Sequence, residues 1–198
     1  NDEWKTMALA SFSTKENDFD LKLASIFKLT KDGFELDLSY FDFYLFDKQK
    51  SFYNDKLIKL LGNPRIKDEK ITKRHYEIAG ALQRSFTKIV THLLKINKKI
   101  GGKSNNLVMA GGAAMNCVFN GLIDRKKIYK NNFIPPWPDD LGVSIGALFY
   151  EHHKSKKNNF KKNSANVFLG PGYNHREIEI LLKKYNLKYF KKKNLNQY

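Results

Sequence analysis

The expected fold of this chain rests on two neighbouring stretches, residues 107–123 (LVMAGGAAMNCVFNGLI) and residues 134–150 (IPPWPDDLGVSIGALFY). Each stretch has the pattern of a short apolar strand, a turn of glycine or acidic residues, and a helix rich in small side chains. A strand that leads through such a turn into a helix lets backbone N–H groups and the helix dipole meet a phosphate or a ribose. The two stretches therefore predict nucleotide chemistry rather than a plain scaffold.

The segments around these stretches alternate between strand and helix patterns. Strands are predicted at 107–109 and 128–134, and helices at 113–123 and 142–153. A long amphipathic helix is predicted over 71–96. Its apolar stripe consists of Ile78, Leu82, Phe86, Ile89, Val90 and Leu93. Alternating strands and helices predict an α/β layer structure.

Shorter signals precede the long helix. Residues 1–13 are typical of a helix or loop that enters the domain. Alternating apolar residues predict a strand at 34–38, and residues 55–61 predict a short helix. Gly62, followed by Asn63 and Pro64, is a stop signal for that helix.

A composition change divides the chain into two domains. Residues 154–166 (KSKKNNFKKNSAN) contain one aromatic residue in a run of Lys, Asn and Ser, which predicts a linker. Residues 1–153 then form the body, and residues 167–198 begin a smaller domain. Within this smaller domain we expect a strand and turn, a helix and a further strand, at 167–173, 175–185 and 187–190.

The chain is strongly basic, with a formal net charge of +16. Such a charge invites a nucleic-acid interpretation. However, 31 of the 36 basic residues are lysine, whereas nucleic-acid sites favour arginine for bidentate contacts. The sequence also lacks a basic helix, an RNA-binding strand motif and zinc-finger spacing. We therefore interpret the charge as a solvated lysine surface, and nucleic acid is not an expected partner.

Cysteine content and hydropathy exclude several other classes. Cys117 is the only cysteine, so a disulfide framework and a thiolate metal cluster are excluded. The sequence shows no secretory signal, and no apolar run approaches the ~20 residues of a membrane helix. We expect a cytoplasmic protein without a membrane partner. Because the sequence begins without methionine and stops as a new element begins, we interpret it as part of a longer protein.

The glycine turn offers the first candidate binding residues. Gly111 and Gly112 follow a strand directly, so a ligand can approach their backbone where a Cβ would hold it away. The same pair also suits a tight turn without a ligand. Asn116 is predicted one helical turn further on, where its amide either binds a ribose or phosphate oxygen or serves as an ordinary polar group of the helix.

The acidic turn offers the second set. Asp139 and Asp140 precede a helix, and aspartate is a preferred N-cap residue. A carboxylate at this position also suits a hard divalent ion beside a nucleotide. Both roles are compatible, with one aspartate in each. Gly142 then begins a helix face with almost no side chain, which permits close packing or close ligand approach.

No catalytic residue is predicted. None of the five histidines forms the i, i+4 pair of a helical metal site. A Ser-His-Asp or Cys-His arrangement cannot be argued, and there is no Walker-type phosphate loop. The chemistry therefore has to be inferred from the glycine and acidic turns.

Five segments occur in one order through most of the chain. They are 3–10 (EWKTMALA), 78–83 (IAGALQ), 110–121 (AGGAAMNCVFNG), 140–147 (DLGVSIGA) and 169–173 (LGPGY). Together they resemble segments of the O-carbamoyltransferase family, which includes nodulation protein U and antibiotic-biosynthesis carbamoyltransferases. The third and fourth segments are specific, and five matches in order make coincidence implausible.

This resemblance implies a fold. The large domain of the family belongs to the actin/hexokinase/heat-shock ATPase superfamily, whose lobes are ribonuclease H-like. Residues 1–153 would be the second lobe of that ATPase domain, without the first lobe. Residues 167–198 would be the truncated start of the C-terminal carbamoyltransferase domain, a small α+β domain.

The resemblance also implies a two-step reaction. ATP and carbamoyl phosphate give carbamoyl-adenylate, and its carbamoyl group passes to a hydroxyl group of a small molecule such as a sugar or natural product. Carried over position by position, Gly111, Gly112, Asn116 and Gly142 would line the nucleotide site. Asp140 would bind a divalent ion such as Fe²⁺ or Mg²⁺.

The sequence departs from the family pattern in places. Ala8 and the Pro138-Asp139 pair stand where the family has glycine or small residues, and the family's histidine metal ligands lie upstream of residue 1. We therefore expect half of an active cleft, which binds nucleotide weakly and does not turn over. One alternative is a related enzyme that makes a carbamoylated or threonylcarbamoyl product on tRNA. Another is a noncatalytic basic module that binds RNA or protein; a homodimer is compatible with any of these.

Overall fold

The structure is a computed structural model, and it describes residues 3–48, 51–102, 104–155 and 170–190. Its internal contacts divide the chain into two units, Asn1–Glu151 and His152–Tyr198. Among the described residues, the larger unit is organised around one long helix and the smaller unit contains one complete short helix.

The long helix, α4, spans Lys73–Ile100. It confirms the helix predicted at 71–96, with both ends shifted. The helix begins after Thr72, whose N–H donates to Nδ1 of His75 at 3.0 Å, and it continues until Gly101. Asparagine and lysine do not stop a helix as glycine does, so the predicted end came four residues early. Neither α4 nor another described helix combines the length and apolarity needed to cross a membrane.

Helix α1 (Glu3–Ala10) and the turn after it pack on α4. The contact uses small residues of α4, and residues 79–81 are buried. A Cβ at Gly80 would lie 2.2 Å from the backbone oxygen of Ser13, so glycine permits this close approach. The predicted stripe was wrong at Leu82, which is 46% exposed, because the small residues beside it make the buried contact.

Two apolar clusters form the core of the larger unit. The first joins α4 to helix α5 (Cys117–Lys126). Its buried members are Leu94, Phe119, Ile123 and Tyr129. The second joins α4 to helices α2 (Asp18–Ala24) and α3 (Asp55–Leu61), and α3 confirms the short helix predicted there. Its buried members are Leu23, Ile26 and Ala81.

Four short strands form two separate pairs. Strands β1 (Phe27–Leu29) and β2 (Phe34–Leu36) are antiparallel, whereas β3 (Asn106–Val108) and β4 (Asn131–Phe133) are parallel. Strand β1 and helix α2 were missed because their lengths of three and seven residues give little periodicity. The strand predicted at 34–38 ends early, and a 3₁₀ turn follows it.

Strand β4 is shorter than the predicted strand at 128–134. Helix α5 runs to Lys126, and Lys127 ends it with a φ of +50°. The chain then turns through Ile128 and Tyr129, which pack on the first core cluster instead of joining the sheet. The strand therefore begins only at Asn131.

In the smaller unit, helix α7 (His175–Lys184) confirms the helix predicted at 175–185. The Asn174 and Glu177 side chains each bond the other residue's backbone N–H, at 3.0 and 2.7 Å, which caps the helix. Residues 170–173 and 187–190 form no strand with other described residues. The rest of the first predicted strand and residues 156–166 of the predicted linker lie outside the described residues.

Candidate functional site

The two predicted strand-turn-helix units meet at the carboxyl ends of β3 and β4. Val108 and Phe133 are partners in the parallel pair, and the N–H of Met109 donates to Phe133 O at 3.0 Å. The N–H of Gly111 then donates to Pro138 O at 2.5 Å. This last bond links the glycine turn directly to the acidic turn. In parallel α/β sheets, ligands bind at this end of the strands.

The glycine turn is open on its outer side. Gly111 has a φ of +94°, a conformation that favours glycine, whereas Gly112 has ordinary backbone angles. A Cβ built at either position meets nothing within 4 Å. Gly111 is therefore needed for the turn itself. At Gly112, no described atom lies close enough to exclude a side chain. The backbone of Gly112 is therefore accessible to a ligand.

Asn116 lies at a helix boundary rather than inside a helix. The predicted helix at 113–123 is split into a 3₁₀ turn (Gly112–Met115) and α5. Asn116 caps α5, because its Oδ1 accepts a hydrogen bond from Phe119 N–H at 2.9 Å. The amide thus has a structural partner and still lies next to the glycine turn.

Gln83 of α4 is a residue of this site that the sequence analysis did not assign. Its Nε2 donates to Asn116 Oδ1 at 3.1 Å, and its Oε1 accepts from Asn116 Nδ2 at 2.9 Å. Gln83 ends segment 78–83, one of the five segments that carry the resemblance. That segment was the available signal, but its distance of 33 residues from Asn116 hid the contact.

In the acidic turn the two aspartates have different surroundings. Asp139 Oδ1 accepts from Leu141 N–H at 3.3 Å, which supports the turn before the next helix. Because this donor precedes the helix, the capping role of Asp139 stays a prediction. The backbone oxygens of Asp139 and Asp140 accept from Gly142 and Val143 at 2.9 and 3.1 Å, and they start helix α6 (Gly142–Ser155). Asp140 is exposed, and no described residue donates a hydrogen bond to its carboxylate.

Gly142 has a packing role in this structure. A Cβ there would lie 2.3 Å from the backbone oxygen of Trp137 and 3.0 Å from its ring. Because the nearest atom belongs to the backbone, a larger residue would have to displace the acidic turn. The proximity of Gly142 to a nucleotide stays a prediction.

The described residues do not by themselves form a metal centre. No three His, Cys, Asp or Glu side chains among them are placed to hold one ion. Asp140 offers one carboxylate, whereas Mg²⁺ takes six oxygen ligands, several of them waters, and non-haem Fe²⁺ needs histidine or carboxylate partners. A metal at Asp140 would therefore need donors from outside the described residues.

An ion pair supports α4 beside Gln83. Arg84 Nε and Nη2 donate to the two carboxylate oxygens of Asp20 at 2.6 and 2.8 Å, and Nη1 donates to Ser13 O at 2.8 Å. Both side chains are mostly buried, with 23% and 22% of their surface exposed. The hydrogen bonds from Arg84 hold the pKa of Asp20 below its usual value. The pair fixes α2 and the turn after α1 against α4.

Two shallow cavities lie elsewhere among the described residues. One, of 260 Å³, is lined in the smaller unit by apolar residues that include Ile178 and Leu181. The other, of 180 Å³, lies beside β1 and β2. Neither contains a predicted site residue. At the candidate site, Gly111 and Gly112 are exposed and have open space around their Cβ positions.

Comparison with known proteins assigns the chain to a family. The family model described as Carbamoyltransferase N-terminus matches residues 1–149. This match covers most of the chain, including the glycine turn and the acidic turn. The chain therefore belongs to the carbamoyltransferase N-terminus family, as the sequence resemblance had predicted.

Curated relatives agree with this assignment. The uncharacterized protein sll1178 of Synechocystis is 34% identical over 188 residues, which cover 91% of this chain and 30% of that protein. Nodulation protein NolNO of Sinorhizobium fredii is 26% identical, and nodulation protein NolO of Bradyrhizobium diazoefficiens is 25% identical, each over 170 residues. These alignments cover 86% of this chain and 23% and 28% of the two nodulation proteins. The chain thus spans under a third of the length of these relatives.

Proposed function

We propose that the chain is part of an O-carbamoyltransferase and supplies one wall of its nucleotide site. In the first step, water cleaves carbamoyl phosphate to carbamate and phosphate. An oxygen of the carbamate then attacks the α-phosphorus of ATP, which gives carbamoyl-adenylate and releases pyrophosphate. In the second, a hydroxyl oxygen of a small molecule attacks the carbamoyl carbon, and AMP leaves. Family membership supports the carbamoyl-transfer chemistry. We place the reaction in the cytoplasm, where both phosphorylated substrates are available.

The observation that carries the proposal is the bond from Gly111 N–H to Pro138 O. It brings the exposed glycine turn and the acidic turn to the same end of β3 and β4. Open backbone at Gly112 allows close approach of phosphate oxygens, and a carboxylate lies in the adjoining turn. Adenylyl transfer depends on holding phosphates in a defined geometry, so two turns held together are suited to it.

The residues have separate roles in this proposal. Gly111 shapes the turn, Gly112 leaves room for the phosphates, and Asn116 donates a hydrogen bond to a nucleotide oxygen. Gly142 lets the acidic turn pack tightly beside them. Asp140 contributes one oxygen ligand to a divalent ion whose other ligands come from outside the described residues. When bound, such an ion would neutralise phosphate charge.

The test measures exchange of labelled pyrophosphate into ATP by the intact protein that carries this chain. Exchange that requires carbamoyl phosphate reports carbamoyl-adenylate formation and needs no knowledge of the acceptor. Gly112→Val adds a side chain in the space open to a ligand, and its Cβ would have no described atom within 4 Å, so we expect at least about a tenfold loss of exchange. Gly33→Val is the matched control, because Gly33 also has open space around its Cβ and lies in the β1–β2 turn.

Three results would contradict the proposal. The first is full exchange activity in Gly112→Val, and the second is exchange that does not depend on carbamoyl phosphate. The third is a salt-dependent shift with RNA and no binding of ATP with divalent metal, which would favour a basic RNA-binding module.

A further inference from the structure

We propose that Gln83 is a positioning residue of the nucleotide site, and this inference rests on the proposed function. Its side-chain amide pairs with Asn116 and directs the remaining N–H of Asn116 to an acceptor atom of the nucleotide. Gln83 lies on α4, whereas Asn116 lies at the start of α5. The pair therefore connects the candidate site to the longest helix of the larger unit.

The contact is a reciprocal amide pair. Gln83 Nε2 donates to Asn116 Oδ1 at 3.1 Å, and Asn116 Nδ2 donates to Gln83 Oε1 at 2.9 Å. The N–H of Phe119 donates to the same Asn116 oxygen at 2.9 Å. Both side chains are partly buried, so these bonds are only partly exposed to competition from water.

These bonds determine the orientation of the Asn116 amide. A free asparagine can exchange its oxygen and nitrogen by a rotation of the side chain. Here the N–H of Phe119 requires an acceptor, which is the amide oxygen of Asn116. Gln83 Oε1 requires a donor, which is the amide nitrogen of Asn116. A rotated amide would place donor against donor at Phe119, which is unfavourable. The Phe119 N–H therefore sets the orientation of the Asn116 amide, and the two bonds with Gln83 hold the amide in that orientation.

The orientation limits what Asn116 can recognise. Its oxygen already accepts two hydrogen bonds, which is its capacity, whereas its nitrogen has used one of two hydrogens. Asn116 can therefore offer a ligand a donor only. The matching ligand atom is an acceptor such as a phosphate or ribose oxygen, and a donor such as the adenine amino group is excluded at this position.

The experiment is a double-mutant cycle in the intact protein, with the affinity for ATP and Mg²⁺ measured by equilibrium titration. The variants are Gln83→Leu, Asn116→Ser and the double variant; serine keeps a cap acceptor for α5. We expect about fivefold weaker binding for Gln83→Leu and about tenfold for Asn116→Ser. The double variant should stay within about twofold of Asn116→Ser, because Gln83 acts through Asn116. Lys88→Leu, an exposed change on the same helix, should leave affinity unchanged.

Thermal unfolding midpoints of all variants separate positioning from folding. Gln83→Leu with a lowered midpoint and normal affinity would show a purely structural role and overturn the inference. The inference would also be overturned if the loss of ATP affinity in the double variant equals the product of the two single losses. Gln83 would then act independently of Asn116. If Asn116→Ser binds normally while Gly112→Val is impaired, only this inference fails. If both bind normally, the proposed function fails with it.

Discussion

The two strand-turn-helix units look alike in sequence but differ in how this chain supports them. In the first unit, α5 buries Phe119 and Ile123 almost completely, and Asn116 at its start is bonded to Phe119 and Gln83. In the second unit, α6 is longer, at 14 residues against 10, yet it has no buried residue. Leu148 on α6 is 71% exposed.

This difference separates two ways of holding a binding turn. Most helix stability in proteins comes from packing of an apolar face, so α5 is stabilised by the core and holds the glycine turn in place. Helix α6 gains little from packing among the described residues. Its start depends on local contacts, namely the bond from Leu141 N–H to Asp139, the close approach of Gly142 to Trp137 and the bond from Gly111 to Pro138.

The largest expected effect tests this difference in packing. Ile123→Ala should lower the free energy of unfolding by about 2–5 kcal/mol, because Ile123 is 1% exposed in the first core cluster. Leu148→Ala on α6 should change it by less than about 0.5 kcal/mol, since an exposed side chain leaves no cavity. Urea unfolding measures both. Equal losses in the two variants would refute the contrast between α5 and α6.

An intermediate effect tests the local contacts of the second unit. Gly142→Ala should lower the free energy of unfolding by about 1–3 kcal/mol, because the new Cβ would lie 2.3 Å from Trp137 O. Gly146→Ala, in the same helix, meets nothing within 4 Å and should raise stability by about 0.5–1 kcal/mol. Thermal unfolding distinguishes the two signs. If Gly142→Ala leaves the stability unchanged, the acidic turn can shift to accommodate the new Cβ at little cost.

The smallest expected effect concerns pH and the support of α4. The pKa of Asp20 is held below its unfolded value of 3.8 by hydrogen bonds from Arg84. The pair therefore stabilises the fold fully above that pH, and its contribution is lost as the pH falls through the folded pKa. We expect about 1 kcal/mol of acid-dependent stability that Asp20→Asn removes.

The control for this pH effect is Asp124→Asn. Asp124 pairs with Lys127 at 3.2 Å, but both side chains are largely exposed, so the pair should contribute little. The free energy of unfolding of both variants is measured from pH 6 to pH 3, a range of about three pH units that includes the unfolded pKa of aspartate. If Asp20→Asn keeps the full acid dependence of the parent chain, other carboxylates must be responsible.

Several elements of the fold were predictable because long or strongly marked segments carry their own signals. Helix α4 was predicted from its apolar periodicity, α3 from the stop signal at Gly62, and α6 from the acidic turn before it; α7 was also predicted. The three-residue strand β1 and the seven-residue α2 were missed, because short elements depend on their partners. The prediction that Leu82 belongs to the buried stripe of α4 was wrong, since periodicity cannot show that a neighbouring segment crosses the helix at Gly80.

The candidate site likewise contains features that the sequence predicted and features that it did not. Gly111 was recognisable because a turn with positive φ favours glycine. The position of Asn116 as a cap was not, because the 3₁₀ turn before α5 replaces the first helical turn that the pattern predicted. Gln83 was overlooked, since a residue's partner 33 positions away is invisible to local spacing.

The sequence by itself determined the two motifs, the family resemblance and the residue types at each turn, because these depend on local chemistry and order along the chain. Only the tertiary structure decided that the motifs share one strand edge through Gly111 and Pro138, and that Gln83 holds the Asn116 amide in its orientation. It also decided that α5 is packed into the core while α6 is exposed. These facts depend on contacts between distant segments, and only the packing of those segments establishes such contacts.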